Sequence, residues 1–175
     1  MEIDKIETPR LLLRKLTEGD REDIFEIVSD EQTTLDNSGC HACKAMDEEF
    51  DKLMRAFCAQ ERYGVEQKES GKVIGMISLM EDERAVKCYE IGFAMNKEYR
   101  RKGYMFEAVK GFIGRFFADT DTEMFAACHF PYNDASEKLI KKLGFKYEGI
   151  SHKAMDHDEL GKIDLVCYYI DKTEE

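Results

Sequence analysis

Asn96-Lys97-Glu98-Tyr99-Arg100-Arg101-Lys102-Gly103-Tyr104-Met105-Phe106 lies between two segments of opposite periodicity. Before it, Cys88–Met95 is an apolar run of strand length. After it, Phe106–Phe117 repeats its apolar residues at helical spacing. The stretch is therefore a turn leading into a helix start. A helix start exposes unpaired N–H groups and a partial positive charge, and so attracts anions. Gly103 permits backbone geometries, and a closeness of ligand, that a Cβ would hinder. Arg100, Arg101 and Lys102 add three cations that would draw a polyphosphate. The chemistry points to a pyrophosphate-bearing ligand. It is not a Walker loop, because no G-x-x-x-x-G-K-[ST] occurs, and a single glycine does not make a dinucleotide fingerprint.

Working outward, Thr8–Leu16 reads as an opening strand bounded by Pro9. Thr17 then caps a helix carrying Ile24, Ile27 and Val28 on one face. Ser29–Ala45 has no clear period and reads as a loop. Asp47–Arg62 places Phe50, Leu53, Met54 and Phe57 at helical spacing. Segments near Gly64–Lys68, Val73–Met80 and Cys88–Met95 make a meander of strands. Beyond the Phe106–Phe117 helix come a strand at Met124–Phe130, a short helix at Asp134–Leu143 stopped by Gly144, and closing strands at Phe145–Met155 and Ile163–Ile170. The order β-α-α-β-β-β-α-β-α-β-β predicts a mixed α+β or α/β sheet. With no repeat, linker or low-complexity tract, residues 1–175 read as one domain.

A formal net charge of −11 argues against a nucleic-acid partner, which needs clustered Lys and Arg, and is compatible with a cationic substrate. No run approaches the roughly 20 apolar residues that cross a bilayer, and the charged N-terminal segment does not resemble a signal peptide. The expectation is a cytoplasmic protein with no membrane partner. Cys58, Cys88, Cys128 and Cys167 stand singly in apolar runs, as buried thiols do.

The Arg100–Met105 turn resembles the acyl-CoA motif [RQ]-x-x-G-x-[GA] of the GNAT superfamily of N-acetyltransferases, with Met105 where a small residue is usual. Glu90-Ile91-Gly92-Phe93 resembles the E-I-G-[YF] strand of the subfamily that holds the ribosomal-protein N-terminal (alanine) acetyltransferases. Asn133-Asp134-Ala135-Ser136 with Lys142-Leu143-Gly144-Phe145 resembles its N-x-x-S…[KR]-L-G-F segment, Thr8-Pro9-Arg10-Leu11 its T-x-R-L opening, and Gly149…Asp164…Tyr168 its closing strands. The resemblance spans nearly the whole chain, least at Ser29–Ala45.

That resemblance implies the GNAT fold, a single mixed and mostly antiparallel sheet with helices on both faces. It implies acetyl-CoA as co-substrate, with no metal, and a primary amine as acceptor: a small molecule or a peptide N-terminus. The backbone of Phe93, Ala94 and Met95 would pair with the pantetheine arm as an added strand. The turn from Arg100 through Arg101, Lys102, Gly103, Tyr104 and Met105 to Phe106 would hold the pyrophosphate. Asn133 would bond the pantetheine where two strands splay. The final strands could pair across a homodimer, by analogy of fold alone.

Glu90, among apolar strand neighbours, is the candidate general base; a solvent-facing strand glutamate is the alternative. Ser136 is either the general acid for the departing thiolate or part of a helix cap. Cys128 raises a ping-pong route through an acetyl-cysteine. With no histidine placed beside it by sequence, a core cysteine and direct attack in a ternary complex are preferred. Cys40-His41-Ala42-Cys43 lacks the four ligands of a structural zinc and reads as a loop over the acceptor site. A non-catalytic acyl-CoA-binding or sensing module is the alternative function.

Overall fold

Leu11 and Leu13 are fully buried while the alternate residues Leu12 and Arg14 are not, the period-two signature of a strand with one covered face. A computed structural model, which describes residues 3–60, 62–82 and 85–172, joins such strands into one eight-stranded sheet. Its strands are β1 (Lys5–Glu7), β2 (Leu11–Lys15), β3 (Arg62–Gln67), β4 (Val73–Glu81), β5 (Cys88–Met95), β6 (Met124–His129), β7 (Lys146–His157) and β8 (Gly161–Asp171). The helices are α1 (Arg21–Val28), α2 (Glu31–Ser38), α3 (Glu48–Ala59), α4 (Tyr104–Asp119) and α5 (Asp134–Lys142). The spatial order is β1-β2-β3-β4-β5-β6-β8-β7. Among the described strands every pairing is antiparallel except β5 with β6, which α4 connects as a crossover.

Two corrections to the expected order have local causes. A further strand, β1, precedes the expected opening one, and the turn at Pro9, closed by the Thr8 N–H on the Leu11 carbonyl, folds it back along β2. Ser29–Ala45 contains α2. Asp30 caps it by accepting from the Thr33 N–H at 3.0 Å, and Gly39 ends it in the left-handed region at φ 72°. Only Thr33 and Leu35 are buried along α2, so its apolar stripe is too thin to show as a period.

Helices cover both faces. Met105, Ala108, Val109, Phe112, Ile113 and Phe116 of α4 are buried at three- and four-residue spacing against Leu13, Tyr63, Ile77, Ile91 and Phe125. Phe112 and Phe116 stack at 4.4 Å, and Tyr63 meets Phe112 edge-on at 5.0 Å. On the other face, Ile24 and Ile27 of α1 and Phe50, Met54 and Phe57 of α3 pack with Met76 and Ala94. The α1–α3 side thus covers one end of β4 and β5.

Beside β2, Arg14 grips Asp20 with two bonds of 2.8 and 2.9 Å and Glu66 with one of 2.8 Å. Burial pushes the Asp20 carboxyl up, but Arg14 and the Thr17 N–H and hydroxyl outweigh it, and the net shift is downward. A carboxyl depressed in the folded state stabilises above its unfolded pKa, and that contribution is lost as pH falls through the folded value. Asp20→Asn is expected to cost about 2 kcal/mol at neutral pH. Urea melts at pH 7 and pH 3 should show the difference shrinking in acid.

Candidate active site

β5 and β6 pair at Cys88↔Met124, Tyr89↔Phe125 and Glu90↔Ala126, and there the pairing stops. β5 runs on to Met95 and β6 to His129, so the strands part at Glu90. A Cβ on Gly75 of β4 would lie 2.8 Å from the Ala94 carbonyl, and Asn96 N–H bonds the Ile74 carbonyl. Ala94 and Asn96 therefore turn their polar groups to β4. By alternation, Phe93 and Met95 turn theirs to the open side. This narrows the expected edge: Ala94 is spent on β4, and Phe93 and Met95 form the exposed row. Side chains reach both carbonyls, Asn37 Nδ2 donating to Phe93 at 2.9 Å and Arg100 Nε to Met95 at 3.2 Å.

The row leads to the start of α4. Asn96 caps a short 3-10 turn at Lys97–Tyr99, after which Arg101 and Gly103 both adopt positive φ, 61° and 80°. Left-handed residues in such a turn bring successive N–H groups toward one concavity. Glu107 N–H is the first to bond back, to the Gly103 carbonyl, so the N–H groups of Tyr104, Met105 and Phe106 point out of the helix end. A Cβ at Gly103 would meet only Arg10 Nη2 at 3.5 Å, so conformation rather than space calls for glycine.

Met105 is buried, and its Cε lies 3.2 Å from where a Cβ on Gly75 would be. The glycine makes room for it, and the large side chain points into the core, away from the concavity. Arg100 departs from the expected role. Besides Met95, its guanidinium donates to Thr33 Oγ1 at 2.5 Å, tying the turn to the capped start of α2 instead of facing an anion. Lys102 Nζ bonds the Glu98 carbonyl, Arg101 is exposed, and Lys142 lies 4.6 Å from the Phe106 ring centre. A residue set missed from sequence anchors this helix end. Glu107 accepts from Thr8 Oγ1 at 2.7 Å, Arg10 N–H at 2.8 Å and Arg10 Nε at 2.6 Å. The T-x-R-L opening was its signal, because its threonine and arginine are the two residues that hold α4 in place.

Glu90, half-buried, lies on the face opposite α4, in alternation with Tyr89 and Ile91, which pack on the α4 side. Asn133 is buried and doubly committed. Its Oδ1 accepts from the Ser136 N–H at 3.0 Å and its Nδ2 donates to the Asp36 carbonyl at 3.1 Å. The cap of α5 therefore uses the Asn133 side chain and the Ser136 backbone, and the Ser136 hydroxyl takes no part in it. Asn133→Ala should cost about 1 kcal/mol or more in thermal melts, while Ser136→Ala should leave the melting point nearly unchanged. A Ser136→Ala protein that melts well below the parent would return the hydroxyl to a structural role.

Tyr132 was also missed. His157 Nδ1 accepts from the Glu159 and Leu160 N–H groups at 3.1 and 3.3 Å, so Nε2 carries the proton and donates to Tyr132 Oη at 2.9 Å. Tyr132 Oη donates in turn to the Leu35 carbonyl at 3.3 Å. Burial, then the charges of Asp36 and Glu159, push its pKa up, so the phenol stays protonated. The chain of bonds joins the β6–α5 loop, the β7–β8 hairpin and α2. His41 pairs with Glu31, which also holds Lys44, and its N–H bonds Asp158 at 2.7 Å. No cluster of metal-binding side chains occurs among the described residues. Cys128 lies opposite Cys167 on β8, Sγ to Sγ 2.9 Å, whereas His129 turns to the other face and stacks on Tyr168.

No helix among the described residues is long and apolar enough to cross a membrane. Among known proteins, the uncharacterized N-acetyltransferase YoaA of Bacillus subtilis is 28% identical over 156 residues, 86% of this chain and 87% of that one. The ribosomal protein uS5-alanine N-acetyltransferase of Escherichia coli is 29% identical over 114 residues, covering 64% of this chain and 56% of its own. A crystal structure of a GNAT-family acetyltransferase from Bacillus anthracis superposes with a TM-score of 0.86 at 24% identity, over 97% of this chain and 99% of that one. The sequence profile of the acetyltransferase (GNAT) domain matches residues 10–146. Parted strands, a glycine-started helix and that match together place the chain in the GNAT family, as an N-acetyltransferase.

Proposed function

We propose that the protein moves an acetyl group from acetyl-CoA to a primary amine, a peptide N-terminus or a small molecule, by direct attack in a ternary complex. The observation that carries this is the edge of β5 that β6 leaves unpaired beyond Glu90, which leads toward the turn that opens α4. Acetyl-CoA supplies the activated thioester. The N–H groups at Tyr104–Phe106 hold its pyrophosphate, with Arg101 and Lys102 adding charge. Phe93 and Met95 bond the pantetheine amides in the manner of an added strand, which requires the Asn37 side chain to release the Phe93 carbonyl.

Glu90 takes the proton of the incoming ammonium through water, leaving the neutral amine to attack the carbonyl carbon. Ser136, with its hydroxyl outside the helix cap, gives a proton to the departing thiolate and recovers one from the nitrogen, which sheds its second proton as the amide forms. The demand on Glu90 depends on the acceptor. A lysine-like amine of pKa about 10.4 is neutral in only about one molecule in two thousand at pH 7, a gap of roughly 4–5 kcal/mol. An α-amine near pKa 8 is roughly a tenth neutral.

The continuity of the sheet supports a single acetyltransferase domain, and the reading fits a cytoplasmic enzyme without a resident metal. A thiol-release assay with acetyl-CoA and a panel of N-terminal peptides, polyamines and amino compounds tests it. Release that depends on the amine is expected. Tight acetyl-CoA binding with no release on any amine would point instead to a sensing module.

A further inference from the structure

A cavity of about 400 Å³ lies between α1–α3 and the sheet, on the face opposite α4. Its apolar floor includes Phe57, Met76 and Ala94, and Asn37 stands in its wall. Asn37 also bonds the Phe93 carbonyl, so the cavity borders the open edge of β5. Its volume is in the range of small-ligand sites.

Arg62 lines this cavity from the first position of β3. Its guanidinium carbon lies 4.1 Å from the Phe57 ring centre, and its Nε donates to Gln60 Oε1 at 3.2 Å. No carboxylate among the described residues forms an ion pair with it. Arg14, on the neighbouring strand, has two. Burial lowers the Arg62 pKa, and no acidic partner among the described residues opposes it. A partly buried cation without a counter-charge is costly. It is the more telling in a chain of net charge −11, where carboxylates are plentiful.

Register connects Arg62 to the reacting end of the site. Arg62 pairs with Ser78 and Ser78 with Gly92, so the three share one face of β3, β4 and β5. A Cβ at Gly92 would lie 2.6 Å from Ser78 Oγ, so the glycine makes room for that hydroxyl between Arg62 and Glu90. Glu90 is the next residue of β5 on the same face. This face of the sheet thus presents a cation on β3 and a carboxylate on β5, about 10 Å apart across two strand spacings and offset by about 7 Å along the strands.

We infer that Arg62 anchors the carboxylate of the acetyl acceptor, which is therefore a small amine that also bears a carboxylate: a free amino acid or a short peptide. The planar guanidinium fork matches a carboxylate with two parallel bonds. The acceptor's apolar part fills the space over Phe57 and Met76, and its amine reaches toward Glu90. Arg62 is a positioning residue for specificity and touches no reacting atom.

This rests on the acetyl-transfer reading, and the test separates the two. Thiol release would be measured for the free amino acids and for their carboxamides, with a polyamine as a carboxylate-free amine. The free acids should be favoured over their amides by about 10- to 100-fold in kcat/KM, through KM. In Arg62→Gln that ratio should fall toward one, and Arg62→Lys, which keeps the charge without the fork, should retain part of it. In parallel, free amino acids without acetyl-CoA should raise the melting temperature of the parent protein and not that of Arg62→Gln. Amides used as well as acids, or an unchanged ratio in Arg62→Gln, overturns the carboxylate anchor while transfer stands. A melting shift that Arg62→Gln abolishes, with no acceptor turned over, keeps the anchor and sinks the transfer reading. Neither turnover of an acid nor a melting shift overturns the anchor.

Discussion

Gly103→Val is expected to weaken acetyl-CoA binding by at least about 100-fold, read by calorimetry, with little change in the unfolding temperature. Gly103 has φ 80°, a conformation that costs a β-branched residue about 1–3 kcal/mol. The chain would relieve that strain by rotating the turn, which has space to move because only Arg10 Nη2 lies near the new Cβ. Rotation turns the N–H groups of Tyr104 and Met105 away from the pyrophosphate. Hydrogen bonds to a charged group are worth about 1.5–3 kcal/mol each, so losing both amounts to about 3–6 kcal/mol, at or beyond a 100-fold fall in affinity. Gly103→Asn makes the sharper control, because asparagine tolerates the left-handed region and should lose far less. Equal affinity for the parent and the valine variant would remove the α4 N-terminus from the donor site.

How far the site could be read from sequence follows from what each element signals. β5 was legible as a short apolar run of strand length, and α4 because its buried residues recur every third or fourth position. α2 was not, since caps at Asp30 and Gly39 define it with only two buried residues between. The parting of β5 from β6 is a relation between strands about 35 residues apart, and composition carries no trace of it. Met105 looked like an intrusion on the phosphate site until Gly75, thirty residues earlier, was seen to clear space for it. Arg62 read as the last residue of a helix. Only the register of β3 with β4 and of β4 with β5 puts it on the same sheet face as Glu90, two strands away.

Glu90→Gln should separate catalysis from binding, because it keeps the size and hydrogen-bonding capacity of the side chain and removes only its basicity. General-base assistance contributes about 10²- to 10⁴-fold, so a fall in kcat of at least about 100-fold is expected with a lysine-like amine. With an α-amine near pKa 8 the fall should be nearer 10-fold, since roughly a tenth of that acceptor is already neutral at pH 7. The affinity for acetyl-CoA, held by backbone groups elsewhere on β5 and α4, should not follow kcat. The pH profile adds an independent sign. In the parent, Glu90 accepts the proton of the bound ammonium, so kcat/KM should fall in acid through the Glu90 carboxylate alone and hold level up to the pKa of the amine. The variant must await a neutral amine, so its kcat/KM should climb through that range with a slope of one on logarithmic axes. If the two profiles coincide and the loss is the same for both amines, Glu90 shapes the point where β5 and β6 part and carries no proton. The base would then have to be water drawn into the opening between the strands.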